Sequence, residues 1–345
     1  MLTILADDLT GACDAGAPCA GQGTVPVTLF PDDRAAGTVA VVDTESRGMS
    51  AGLAASRVRD AVARAAGTTL WFKKVDSTMR GPIAAELDAL LEATGAPGAV
   101  LCPAFPAQGR TVADGVLRID GTPVAQTPLA RDPAFALPSS AVAAALDTTR
   151  PVVAWRRDAH AAIPAGGIAV ADATTDDDLD RVVARALVAR PSPLLAGAAG
   201  LAGALARRLG LTARATDVPA GARWLIVAGS AHPATRAQLA AIRDRRRVVA
   251  APAEPRADRA AVAREVAMRA RQVIEAGDVD AVAVTGGETA AALFRALDGE
   301  RIDLLGAPLP GLALGWLRRR GGASLMLLTK AGGFGGPDLF ERLPA

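Results

Sequence analysis

Tyrosine is absent from the 345 residues, and the aromatic side chains are confined to seven Phe and four Trp. So few rings leave little on which bases could stack, and 38 basic against 36 acidic residues leave almost no net field to attract a phosphate backbone. Nucleic acid is therefore not expected as a partner. Only two histidines are present, His160 and His232, at no metal-ligand spacing and with no evident Ser or Asp companion, so neither a His-rich metal site nor a serine-hydrolase triad is indicated. The three cysteines, Cys13, Cys19 and Cys102, are odd in number and match no zinc motif. They read as reduced thiols of a cytosolic protein and exclude a disulfide framework. No apolar run reaches the ~18 residues that a membrane span needs, and the chain opens on a strand rather than on a basic leader. A soluble, cytoplasmic protein without a membrane partner is expected. Missing as well are G-x-x-x-x-G-K-[ST] and a G-x-G-x-x-G that opens a helix after a strand, which argues against P-loop NTPases and Rossmann dehydrogenases.

Half of the residues are apolar, and the length suffices for two domains with a core each. Short β-like runs alternate with helical patterns, which predicts an α/β fold with largely parallel sheets and crossover helices. The clearest strands are Leu2 to Ala6, Val39 to Val42, Leu70 to Val75, Ala99 to Cys102, Trp224 to Ala228, Ala281 to Thr285 and Ser324 to Thr329. Ile83, Leu87, Leu90 and Leu91 recur at helical spacing, as do Ala290, Leu293, Phe294 and Leu297, and Ala141 to Ala145 reads as helix. Thr212 to Ala222 has no periodicity, carries Pro219 and Gly221, and is the best linker. It divides the chain into 1–215 and 222–345. The runs Arg245-Arg246-Arg247 and Arg318-Arg319-Arg320 read as solvated helix ends without a functional role.

Polar residues gather where strands of the first half end. Asp7 and Asp8 follow the first strand, Asp43-Thr44-Glu45-Ser46-Arg47 the second, and Lys73-Lys74-Val75-Asp76-Ser77-Thr78-Met79-Arg80-Gly81 spans the third. Cys102-Pro103-Ala104-Phe105-Pro106-Ala107-Gln108-Gly109-Arg110-Thr111 closes the set. In open α/β sheets ligands bind outside the carboxyl ends of strands. Arg47, Lys74, Arg80 and Arg110 can meet a small anion, arginine with a two-pronged fork suited to carboxylates. The acids and hydroxyls can meet sugar hydroxyls.

In the second half three strand ends carry small or glycine-rich loops, Gly229-Ser230-Ala231-His232, Gly286-Gly287-Glu288-Thr289 and Lys330-Ala331-Gly332-Gly333-Phe334-Gly335-Gly336. Glycine lets backbone N–H groups approach a polyphosphate without a Cβ in the way, and a following helix adds its positive dipole end. Ser230 and Thr289 offer hydroxyl donors, and Lys330 offers a point charge to a phosphate.

Together these blocks resemble the four-carbon acid sugar kinases. The resemblance runs through A-D-D-L-T-G-A at 6–12, D-T-E-S-R at 43–47, K-K-V-D-S-T-M-R-G at 73–81 and C-P-A-F-P-A-Q-G-R-T at 102–111. It continues through G-A-A-G-L-A-G-A-L-A at 197–206, G-S-A-H-P-A-T-R-A-Q-L at 229–239, T-G-G-E-T-A at 285–290 and T-K-A-G-G-F-G at 329–335. It implies two α/β domains, a sugar-acid domain over 1–215 and a nucleotide domain over 222–345, with the active site in the cleft between them. It implies ATP, a terminal hydroxyl of threonate, erythronate or a 3-oxo-tetronate as acceptor, nucleotide contacts at Ser230, Gly286, Gly287, Glu288, Thr289 and Gly332, and substrate contacts at Asp8, Arg47, Lys74, Asp76 and Arg80. The residues themselves add Lys330 and Gly333 to the nucleotide set and Asp7, Ser77 and Arg110 to the substrate set, and phosphoryl transfer calls for Mg2+ on the phosphates. Asp8 is the candidate base, with Asp7 and Asp76 as competitors, and Arg80 the expected partner of the substrate carboxylate. The other readings left open are a kinase for a different small hydroxy acid and a non-catalytic sensor of sugar acid or nucleotide. Oligomeric state is open too, a homo-oligomer included.

Overall fold

The strands Leu2–Ala6, Val39–Asp43 and Ala281–Thr285 are buried along their whole length, the pattern of parallel strands covered on both faces. The computed structural model describes residues 1–31, 37–65, 67–131, 139–156, 162–212, 216–230, 232–244, 247–252 and 258–343. Among them, fourteen strands form one sheet, ordered from one edge as Val248–Ala250, Trp224–Ala228, Ala281–Thr285, Leu325–Lys330, Leu312–Arg319, Gly299–Gly306, Val25–Leu29, Val39–Asp43, Leu2–Ala6, Leu70–Lys74, Leu194–Gly197, Ala99–Cys102, Ile168–Ala171 and Val152–Trp155. Ten of the pairings are parallel, as the alternating pattern predicts. The two α/β halves share this sheet rather than owning one each. Gly299–Gly306 pairs antiparallel with Val25–Leu29 and joins them edge to edge.

That join positions the site. Three antiparallel pairings in succession reverse the strand direction between the halves. In a flat sheet the two sets of carboxyl ends would lie on opposite edges. Sheets twist by about 20–25° per strand, which over the five steps from Leu2–Ala6 to Leu325–Lys330 amounts to roughly 100° or more. The carboxyl ends of the two halves thus come to face one another. The helix Leu9–Gly16 lies between the halves with every residue buried. Its small residues permit this, since a Cβ on Gly16 would stand 2.8 Å from both Val41 of the first half and Leu304 of the second.

The helices Ile83–Thr94 and Gly287–Ala296 occupy the predicted segments, and Val142–Ala145 is a single turn. The described part of the Thr212 to Ala222 linker forms neither helix nor strand, with residues 213–215 outside the described set. The Arg318 run departs from expectation. It ends the strand Leu312–Arg319 instead of a helix, because Leu312, Leu314 and Leu317 bury there and Arg318 turns back to pair with Asp303 at 2.7 Å. Of the other run, Arg245 and Arg246 lie outside the described residues, and Arg247 bonds the Trp224 carbonyl at 3.3 Å. The three cysteines are buried and unpaired.

Candidate active site

Both halves have a switch point, a strand flanked on either side by strands that follow it in the chain. Leu2–Ala6 sits between Val39–Asp43 and Leu70–Lys74, and Trp224–Ala228 between Val248–Ala250 and Ala281–Thr285. Asp8 leaves the first of these and caps the helix Leu9–Gly16, accepting from the Gly11 N–H at 3.0 Å and from the Thr10 hydroxyl at 2.8 Å. Its other face meets the second half. A Cβ on Gly287 would lie 2.2 Å from Asp8 Oδ2, so the absence of a side chain at 287 is what admits the carboxylate.

Around Asp8 the predicted substrate residues form an ion-pair network. Arg47 is bidentate to Asp7 through Nε at 2.7 Å and Nη2 at 2.8 Å, touches Asp8 at 2.6 Å and reaches Asp76 at 3.6 Å. Arg80 is bidentate to Asp76 at 2.9 and 2.7 Å. Asp76 also accepts from Thr78 and the Arg80 N–H, which fixes a turn in which Met79 and Gly81 take φ of 65° and 96°. Burial opposes ionisation of Asp7 and Asp76, but the guanidinium of Arg47, joined by Lys73 and Lys74 at Asp7 and preceded by Arg80 at Asp76, holds both below the ordinary carboxylate range. Ser77 is half-buried in the same turn. Arg80, the expected partner of the substrate carboxylate, grips Asp76 with Nε and Nη2, which leaves its Nη1 outside that pair. Lys74 is buried and donates to the Val75 carbonyl at 2.7 Å, which leaves two of its three N–H groups for a ligand. Lys73 pairs instead with the buried Glu86 at 3.2 Å.

The three glycine loops converge. A Cβ on Gly229 would fall 1.7 Å from the Thr289 hydroxyl, one on Gly332 would fall 2.4 Å from Ser230 Oγ, and one on Gly286, where φ is 100°, would meet the Ser230 N–H at 3.2 Å. Only glycine lets these three backbones close on one another. The buried Thr285 hydroxyl, immediately before Gly286, has no partner among the described residues. Glu288 stands exposed in the first turn of the following helix. Beside it an open groove of about 550 Å³ runs between that helix and Arg259–Glu275, lined by Ala263, Ala267, Met268, Ala292 and Ala296.

Lys330, expected to offer its charge to a phosphate, is buried under the loop and donates to the carbonyls of Ala331, Gly332 and Phe334, each at 3.0 Å. Burial brings its pKa down to about 7. Gln238 bonds the carbonyls of Phe334, Gly335 and Gly336 at 2.9, 2.9 and 3.0 Å, and Thr235 that of Gly332 at 2.8 Å. Lys330, Gln238 and Thr235 thus shape the loop from beneath. Thr235 and Gln238 lie one turn apart in the 229–239 block, the signal that the motif reading passed over. His232 caps the helix Pro233–Ala241 through Nδ1, and burial, then Lys330 and Arg110, lower it to about 4, so the ring is neutral at pH 7.

Contacts between the halves were not legible as pairs. Glu45 binds Arg295 at 2.6 Å, the Gln108 amide reaches the Pro310 carbonyl at 2.6 Å, and Phe105 meets Phe334 edge to face at 5.7 Å. Arg110 stacks on Phe334 with its guanidinium 4.9 Å from the ring centre. Asp7, Asp8, Arg47, Lys74, Asp76 and Arg80 lie together on one side and Ser230, Gly286, Gly287, Thr289 and Gly332 on the other, with Gly333 beside His232 and Arg110.

The chain matches the family model for a sugar-binding N-terminal domain over residues 2–205 and that for a nucleotide-binding C-terminal domain over 247–340. It is 34% identical to a D-threonate kinase of Bordetella bronchiseptica, across 98% of this chain and 95% of the relative. It is 31% identical to a 3-oxo-tetronate kinase of Methylobacterium radiotolerans, across 99% and 98%. A Salmonella typhimurium crystal structure described as a putative tRNA synthase has the same fold at 20% identity, with a TM-score of 0.72 over 99% of this chain and 97% of that one.

Proposed function

The chain belongs to the four-carbon acid sugar kinases, and from that membership we propose that it transfers the γ-phosphoryl group of ATP to the terminal hydroxyl of threonate, erythronate or a 3-oxo-tetronate. Residues 1–215 would hold the acid and 222–345 the nucleotide. The observation that carries this reading is the contact of Asp8 with Gly287, in which a carboxylate from the polar loops touches a backbone of the glycine loops. A hydroxyl resting on one side and a phosphate on the other would lie within reach of both.

The loops fit ATP. Gly229, Gly286 and Gly332 let the three loops close on one another, which gathers Ser230, Thr289 and the orphaned Thr285 hydroxyl in one place at the start of the helix Gly287–Ala296. The Ala-lined groove beside Glu288 suits the flat nucleoside. Magnesium, when bound, supplies charge neutralisation to the phosphates, and Glu288 is the carboxylate that would hold it together with phosphate oxygens and waters. What the protein's own residues contribute is position and a proton acceptor. Lys74 presents spare donors to the acid, and Asp8 accepts the hydroxyl proton.

Two experiments test the reading. An ATP-consumption screen over C4 and C5 sugar acids should show ADP formation only with an acid present; binding without turnover would favour the sensor. Gly332→Val should abolish measurable ADP binding by calorimetry while the fold survives, because its Cβ would displace Ser230. Unchanged binding in a folded variant would rule out the glycine loops as the nucleotide site.

A further inference from the structure

We propose that Arg110 is the cation that clamps the phosphoryl group in flight, reaching from the sugar-acid half onto the third glycine loop of the nucleotide half. Arg110 opens the strand Arg110–Ala113 and is 8% exposed. Among the described residues Arg47, Arg80 and Lys73 each have a carboxylate within ion-pair distance. Arg110 has none, and the acids that influence it, Asp120 and Asp76, are not in contact. One terminal nitrogen donates to the Gln108 carbonyl and Nε is buried without a partner. The other terminal nitrogen lies 3.2 Å from where a Cβ on Gly333 would stand, and His232 Nε2 lies 3.1 Å from that same point.

A mostly buried guanidinium with no carboxylate in ion-pair distance, and with one terminal nitrogen turned toward a glycine loop, keeps its charge for an anion that arrives at that loop. Its position decides which anion. The acid substrate offers its hydroxyl end to the nucleotide loops and its carboxylate at the far end of the carbon chain, so a cation resting on Gly333 and Phe334 meets phosphate oxygens and not the carboxylate. Stacking on Phe334 holds the fork in place before the reaction. In the step itself the acceptor oxygen forms a bond to the γ-phosphorus as the bond from that phosphorus to the bridging oxygen of ADP breaks. The hydroxyl proton passes to Asp8, and Arg110 donates to the equatorial oxygens, where charge is spread at the transition state.

This inference rests on the kinase reading. The test compares the wild-type protein with Arg110→Ala and Arg110→Lys. An arginine clamp of this kind is worth about 10³- to 10⁵-fold in kcat. Both variants should lose kcat, alanine within that range, while the ADP Kd stays within about threefold. Aluminium fluoride should tighten ADP binding in the presence of the acid for the wild-type protein and not for either variant, and guanidinium ion should restore part of the Arg110→Ala rate. A kcat within tenfold of wild type would overturn the clamp. So would an equal loss of ADP affinity, because Arg110 would then merely support the loop. If the wild-type protein forms no ADP with any C4 or C5 acid, the kinase reading fails and the clamp falls with it.

Discussion

Asp8→Asn is expected to lower kcat by about 10²- to 10⁴-fold, the usual cost of losing a general base, while KM changes little. Three carboxylates compete for that role in the sequence, and their surroundings separate them. Asp7 has a fully buried side chain whose two oxygens are both held by Arg47. Asp76 is gripped by Arg80 and bonded to Thr78 and the turn backbone. Both are held low by their arginines, which makes them poor proton acceptors. On Asp8, Oδ1 takes the Gly11 N–H and Arg47, whereas Oδ2 takes, among the described residues, the Thr10 hydroxyl alone and faces Gly287. A carboxylate oxygen has two lone pairs, so one of Oδ2 remains for a substrate hydroxyl. Asparagine can keep its oxygen at the Oδ1 position and preserve the helix cap, but its amide nitrogen cannot accept the proton. Steady-state kinetics beside a denaturation curve would separate the chemistry from the fold. A folded Asp8→Asn protein with most of its kcat would remove the need for a base at this position.

The parts of this site that were legible are those set by short-range rules. A run of five residues that is apolar but for one Thr, followed by Asp-Asp or by Gly-Gly, announces a buried strand and the loop at its end, and Leu2–Ala6 and Ala281–Thr285 are such runs. Strands with mixed faces were missed. Leu312–Arg319 ends in arginines, and Val25–Leu29 contains a proline, so neither gives a clean period, yet they and their neighbours create the reversal that turns the halves toward each other. Pairing is the other thing a single sequence withholds. That Arg47 is committed to Asp7, Arg80 to Asp76 and Lys330 to three carbonyls depends on contacts between segments far apart in the chain or on the local path of a loop. A basic residue at a strand end is equally compatible with binding a ligand and with bracing the residues that do. The structure divides them by what each charge already holds, and only Lys74 and Arg110 among the predicted anion contacts keep buried donors unused.

The largest effect on stability is expected from Arg47→Met. Methionine fills similar space without charge, so it strands Asp7, whose side chain has no exposure, without the guanidinium that neutralises it. Removing one partner of a buried pair typically costs about 3–5 kcal/mol, because the remaining charge is left without compensation. The pH dependence identifies the cause. In the wild-type protein Asp7 has a folded pKa below its ordinary value, so its contribution is fully present above the unfolded carboxylate range and is lost as pH falls through the lowered folded value. In Arg47→Met the chief opponent of burial is gone, the folded pKa rises, and the folded state takes up a proton that the unfolded state does not hold at neutral pH. Acidification from pH 7 toward 4 then favours the folded variant, and its deficit relative to wild type should narrow over that window. Denaturant midpoints at several pH values measure this directly. Asp7→Asn placed on Arg47→Met should recover much of the loss, since it removes the stranded charge, and the two substitutions should be strongly non-additive. A deficit that stayed constant from pH 7 to 4, or a double variant as unstable as the sum of its parts, would mean that Arg47 supports the fold through packing and that its bond to Asp7 contributes little.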